Sequence, residues 1–209
     1  MDKKILVETS AHHIHVTQEV LELLCGEGAQ LECLKALSQP GQFASQVRLD
    51  VIYHAQIKDR KTGEIVKKDN VLKGLRILGP VRKENQVEIS MTEARALKAN
   101  VPVRESGDVA GTPGCTLFNP ETGKSVDIEC GMIVAKRHIH MTPEDAEEFG
   151  VKNGQIVKVA ISEGLGRDAI LGDVVIRVSP KYALAMHIDT DECNALGGGS
   201  NEVYGVIVD

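Results

Sequence analysis

HHIHVTQEV at residues 12–20 and RHIHMTPED at residues 137–145 are the stretches whose reading decides the fold. Each carries His-Ile-His, a hydrophobic residue, and then a threonine that opens an acidic turn. Extended backbone alternates its side chains with a period of two, so each histidine pair shares one strand face. The isoleucine between them, Ile14 or Ile139, turns to the other face. Thr17 and Thr142 place a capping hydroxyl ahead of the short helices QEVLELL and PEDAEEF, the second with Pro143 at the favoured first helical position. A strand of paired imidazoles running into a capped helix, twice in one chain, points to an internal duplication. A further similarity is read between ISMTEARAL, from Ile89, and RVSPKYALAM, from Arg177. Two related β-barrel-like halves are therefore expected, with the boundary near Gly131 to Lys136.

Outward from these stretches, short β-branched runs dominate, at residues 5–7, 47–57, 65–67, 86–89, 156–161 and 174–178. Turn signals separate them at Lys61-Thr62-Gly63, Pro120-Glu121-Thr122-Gly123 and Lys152-Asn153-Gly154. A third helix is expected over Thr92 to Lys98. The class predicted is mainly β: two related β-barrel domains capped by short α-helices, the first over residues 12–135 and the second over 136–209. The chain of 209 residues is long enough for two small cores. Its formal net charge of -6 offers no basic footprint for nucleic acid, so a small-molecule partner is expected. No stretch approaches the roughly 20 apolar residues of a spanning helix, and MDKKILVETS has no apolar signal-peptide core. A cytoplasmic protein with no membrane association is expected. Cys25, Cys33, Cys115, Cys130 and Cys193 are scattered without a C-x-x-C pair, which suits reduced, buried thiols.

Six of the seven histidines fall in the two His-x-His segments and at His187, and only His54 lies elsewhere. Two imidazoles on one strand face suit two ligands of one metal. His187, in ALAMHIDTDEC, could complete one site, and a carboxylate could complete the other. Imidazole and carboxylate without paired thiolates fit zinc, with cobalt, nickel, iron or manganese as substitutes. Three protein ligands per ion make an open, catalytic arrangement, whereas a closed structural zinc needs four. His12 faces away from His13 on a strand and is set as a neighbour of the ligands. Gly79-Pro80 makes a turn that places Arg82, which reads either as a two-pronged phosphate clamp or as a solvated surface charge. Glu88 reads either as a metal ligand or as a strand-edge charge. VRESGDVAGT at residues 103–112 is a glycine-bearing loop whose amides could approach a ligand, without the strand-to-helix setting of a nucleotide fingerprint. Gly197-Gly198-Gly199-Ser200 reads as a tether or an anion-contacting loop.

SAHHIHVT, GPVRKENQVEIS, PVRESGDVAGT, AKRHIHMTPEDA and AMHIDTDECNA occur in this order between about Val7 and Ile207. Through them the chain resembles the PduL-type phosphate acyltransferases (phosphotransacylases) of bacterial acyl-CoA metabolism. The resemblance implies two barrels with the active site at their interface, the N-terminal strand of residues 1–11 joining the second barrel. It implies two zinc ions or other divalent first-row metals, one held by His13, His15 and Glu88, the other by His138, His140 and His187. Arg82 would bind phosphate. The chain departs from the family pattern at His12, where arginine is usual, which leaves the role of that position open. It also departs at its start, because members destined for microcompartments carry an amphipathic extension and only Met1 to Lys4 precede the first strand here. A freely cytoplasmic member is expected.

The reaction implied is the reversible transfer of a propanoyl or acetyl group from acyl-CoA to inorganic phosphate, giving acyl phosphate and CoA by metal-assisted direct attack. Arg82 would orient the phosphate. A competing route puts the acyl group first on Cys115 or Cys130, neither of which has a histidine close in sequence to activate it. A metal-dependent hydrolase of a thioester or related small substrate is the rival from another class. Its usual scaffold, an eight-stranded α/β barrel, needs about 250 residues and much more helix. A homodimer is the expectation for a small enzyme of this kind.

Overall fold

The computed structural model describes residues 3–59, 61–162, 166–198 and 202–208, so Gly199 and Ser200 of the glycine-rich stretch lie outside the described residues. In chain order the strands are β1 (Ile5–Thr9), β2 (His13–His15), β3 (Cys33–Ala36), β4 (Phe43–Lys58), β5 (Ile65–Gly79), β6 (Gln86–Glu88) and β7 (Val103–Arg104). They continue as β8 (Cys115–Asn119), β9 (Lys124–Ile128), β10 (Met132–Ala135), β11 (His138–Met141), β12 (Ile156–Ile161), β13 (Ala169–Val178), β14 (Ala185–Ile188) and β15 (Val203–Val208). The helices are α1 (Gln18–Cys25), α2 (Met91–Leu97), α3 (Pro143–Phe149) and α4 (Thr190–Ala195). None is long and apolar enough to cross a membrane. The fold is mainly β, and its contacts divide into two units: Met1–Ala11, Ser38–Pro40 and Ala135–Asp209 in one, His12–Leu37 and Gly41–Val134 in the other.

The unit holding residues 135–209 is a closed barrel of six strands in the order β1-β14-β11-β13-β12-β15. Alternation fills it: Ile139 and Met141 of β11, Met186 and Ile188 of β14, Val174 and Ile176 of β13, and Val159 and Ile161 of β12 are buried together. β15 closes the barrel between β12 and β1, and Gly205 permits it, since a Cβ there would lie 2.5 Å from Val159 Cγ1. The other unit, among the described residues, is a nine-stranded sheet, not a second closed barrel. Its path is β7-β10-β6-β2-β5-β4-β8-β9, with β3 added beside β4. Ile14, Leu49, Leu75, Ile77, Val87 and Leu117 form its core, against which α1 packs Val20, Leu21 and Leu24. Two related barrels are thus corrected to one barrel and one sheet.

What recurs is smaller than a domain. β2 pairs antiparallel with β6 and parallel with β5, and β11 pairs antiparallel with β14 and parallel with β13. Each of β2, β6, β11 and β14 runs directly into a capped helix. Thr17 Oγ1 accepts from Val20 N, while Ser90 with Glu93, Thr142 with Asp145, and Asp189 with Glu192 form reciprocal capping boxes. The expected third helix therefore starts at Met91 under a Ser90 cap, and Lys98 is its left-handed C-cap. The similarity read between ISMTEARAL and RVSPKYALAM is also corrected. Ser179 leads into a turn at Pro180 and Lys181, and the structural counterpart of α2 is α4. That helix escaped the sequence reading because TDECNA buries no residue and shows no apolar period.

Candidate metal centres

The short strands β2 and β6 bury both faces. Ile14 and Val87 enter the sheet core, which turns His13, His15, Gln86 and Glu88 to the opposite side. Antiparallel register sets His13 opposite Glu88 and His15 opposite Gln86. Glu88 Oε1 then lies 3.3 Å from His13 Nε2 and 4.0 Å from His15 Nε2. One donor atom from each of the three residues falls within 4.8 Å of the others. His15 Nδ1 donates to Leu78 O at 3.3 Å, which leaves Nε2 as the nitrogen with a lone pair. Burial, the neighbouring His13 and the Arg82 charge hold the His15 pKa well below its usual value. Burial pushes Glu88 up, but the His13 charge and hydrogen bond, with His15 and Ser106, outweigh it and hold the carboxyl below the usual range. A neutral imidazole and an ionised carboxylate are the protonation states a cation requires.

Two residues that sequence reasoning did not single out organise this cluster. Gln86 Nε2 donates to Glu88 Oε1 at 2.6 Å and to Ser106 Oγ at 2.9 Å, and Gln86 Oε1 accepts from Gly107 N at 2.7 Å. Ser106 Oγ donates to Glu88 Oε1 at 3.0 Å and accepts from Arg82 Nη1 at 3.3 Å. With one donor and two acceptor positions filled, the hydroxyl is fully satisfied. The glycine-bearing loop is thus pinned to the strand face, and Arg82 is tied to the same hydroxyl that holds Glu88. Arg82 is half-buried, its backbone N donating to Val16 O at 2.8 Å beyond the turn at Gly79-Pro80. A signal for Gln86 existed in the sequence, since it stands two residues before Glu88 on the same strand face. Ser106 carried only its place in the glycine-bearing loop, not a role of its own.

The second cluster repeats the pairing. His138 stands opposite His187 across β11 and β14, and His140 pairs with Arg177 of β13. The ring centroids of His138, His140 and His187 are 4.6, 5.0 and 5.2 Å apart, and one nitrogen from each lies within 4.8 Å of the others. His138 Nδ1 donates to Lys136 O at 2.9 Å, leaving its Nε2 to coordinate. Tyr182 stacks on His140 at 4.0 Å between centroids. Burial, with His138, His187 and Arg177, pushes the His140 pKa down to about 2. Its Nδ1 is buried with no hydrogen-bond partner, an arrangement that costs roughly 1–3 kcal/mol unless something else satisfies the atom. Three converging imidazoles, one of them, His140, with an orphaned nitrogen, and a bis-imidazole carboxylate set both fit a divalent first-row ion such as zinc.

Beside each cluster lies a matched clamp. His12 Nδ1 contacts Glu93 Oε1, and Arg137 Nε donates to Glu192 Oε1 at 2.6 Å. In both cases the residue before His-x-His grips the N3 carboxylate of the helix that follows the third donor, so His12 stands where Arg137 stands in the barrel unit. Arg104 pairs with Asp108 at the surface. His54 belongs to neither cluster and bonds Asp69 and Thr116. Among the described residues all five cysteines are unbridged, and burial pushes the Cys115 thiol up to about 12, which leaves it without thiolate character at neutral pH.

Residues 6–198 match the family model described as phosphate propanoyltransferase. The phosphate propanoyltransferase of Thermotoga maritima is 47% identical over 91% of this chain and 83% of its own length. That of Enterococcus faecalis is 49% identical over 91% and 82%, and that of Listeria monocytogenes is 44% identical over 94% and 84%. A match of this extent, spanning both His-x-His strands and the residues that meet them, places the chain in the phosphate propanoyltransferase family.

Proposed function

We propose that this protein is a phosphate acyltransferase that moves a short acyl group, propanoyl or acetyl, reversibly between CoA and inorganic phosphate at a metal-assisted site. The observation that carries the reading is Arg82 tied to Ser106 beside His13, His15 and Glu88 in a chain of this family. His13, His15 and Glu88 would hold one ion, and His138, His140 and His187 a second. A divalent ion bound there supplies Lewis acidity for the thioester carbonyl and a soft partner for the departing thiolate.

The side chains account for the rest. Arg82, fixed by its backbone bond to Val16 and its side-chain bond to Ser106, offers a charged planar fork to phosphate and orients it for attack. A phosphate oxygen forms the new bond to the acyl carbon, the carbon–sulfur bond breaks, and the phosphate proton ends on the CoA thiol. Atoms and charge balance without an acyl-enzyme. The raised pKa of Cys115 speaks against a covalent route through that thiol.

The test incubates purified protein with propanoyl-CoA, with and without phosphate, and assays free thiol and acyl phosphate together. Thiol release that requires phosphate and equals acyl phosphate formed is expected. Equal thiol release without phosphate would identify a thioester hydrolase instead. Metal analysis of the same preparation should find up to two divalent ions per chain, and an active preparation free of metal would overturn the metal-assisted part.

A further inference from the structure

The two donor clusters differ in charge. His13, His15 and Glu88 include a carboxylate, so a divalent ion there keeps a net charge of about +1, whereas three neutral histidines leave about +2 in a buried place. The strand next to the third donor shows how the difference is met. In the sheet unit, parallel pairing of β10 with β6 puts Ile133 beside Glu88. In the barrel unit, parallel pairing of β1 with β14 puts Glu8 beside His187. Glu8 Oε2 lies 3.7 Å from His187 Nδ1, within ion-pair reach, at 29% and 15% side-chain exposure. Ser38 Oγ donates to the same Glu8 oxygen and so holds the carboxylate on the imidazole side.

We propose that Glu8 is the positioning residue of the three-histidine cluster. It keeps the proton on His187 Nδ1, which leaves Nε2 as the donor nitrogen, and it supplies from one strand away the negative charge that Glu88 supplies as a direct donor in the other cluster. The inference rests on the metal reading above and gives Glu8 a role none of the sequence motifs assigned. Carboxylates that orient a ligating imidazole contribute about 10- to 100-fold to metal affinity.

The test titrates metal-free full-length wild type, Glu8→Gln and Glu8→Ala with cobalt(II) against a competing chelator, following the visible ligand-field bands. Melting of each metal-free variant is recorded beside it. Wild type should take up two equivalents. Glu8→Ala should weaken one of them about 10- to 100-fold and alter its bands while the other stays unchanged. Glu8→Gln, which keeps an acceptor oxygen and loses the charge, should fall between them, and as a near-isosteric change it guards against a variant that fails to fold. Unchanged affinity for both equivalents in both variants would overturn the role of Glu8. Equal weakening of both equivalents with a matching loss of metal-free melting temperature would do the same, because it marks general destabilisation. No cobalt uptake by wild type would overturn the metal reading itself, a result distinct from either.

Discussion

Arg82 is tied to the first donor cluster through one hydroxyl. Ser106 accepts from the guanidinium and donates to Glu88, so loss of the Ser106 hydroxyl releases both the guanidinium and the carboxylate. This links residues that a linear reading treats separately, and it predicts a graded series. Arg82→Lys keeps the charge and loses the planar fork, whereas Arg82→Ala loses both. Charged hydrogen bonds contribute roughly 1.5–3 kcal/mol, so Arg82→Ala should lower kcat/KM for phosphate at least about tenfold, with Lys intermediate and metal content retained. Ser106→Ala should raise KM for phosphate less than Arg82→Ala does. Kinetics with phosphate varied at saturating propanoyl-CoA, beside a metal assay, check the order. Wild-type phosphate kinetics in Arg82→Ala would remove the residue from the site.

At the scale of the element, the strand that carries a histidine pair is also a core strand. Ile14 and Ile139 are fully buried between their flanking histidines, so packing on one face fixes where the imidazoles on the other face point. Ile139→Ala should therefore cost about 2–5 kcal/mol and Ile139→Val about 0.5–1.5 kcal/mol, read as midpoint shifts in denaturant on metal-free protein. Leu34 on β3, 63% exposed, is the contrast, and its replacement by Ala should fall within about 0.5 kcal/mol. A silent Ile139→Ala would mean that β11 is not anchored by that side chain. The capped helices were legible in the sequence at Thr17 and Thr142 because a cap is a local hydrogen bond between residues three apart. The helix capped by Asp189 has the same local chemistry in Asp-Thr-Asp-Glu, but it lacks the apolar face on which recognition of a helix depends.

Across the whole molecule, gathering unprotonated imidazoles couples folding to pH. Folded His140 resists protonation down to about 2 and His15 is held well below its usual value, each chiefly by burial, whereas the unfolded chain takes up these protons near 6.5. Between those limits the unfolded state binds more protons, so the stability of metal-free protein should fall as pH drops below about 6.5. Bound metal should raise the melting temperature at neutral pH and lose that effect in acid, as protons compete for the donors. Thermal melts of chelator-treated and metal-loaded protein from pH 8 to pH 5 measure both, and a metal-free melting temperature that holds or rises on acidification would contradict the assignment. The sequence by itself determined the β class, the two His-x-His strands and their capped helices, because two-residue alternation and capping are properties of neighbours along the chain. The residues alone offered His187 and Glu88 as candidate third donors, and resemblance to a family assigned each to its cluster. Only the tertiary structure decided that one unit closes as a barrel while the other stays a sheet, that Glu88 stands opposite His13 and His187 opposite His138, and that Gln86, Ser106 and Glu8 join the clusters. Those outcomes are set by strand register between segments far apart in sequence, where a slip of one residue turns every side chain to the other face.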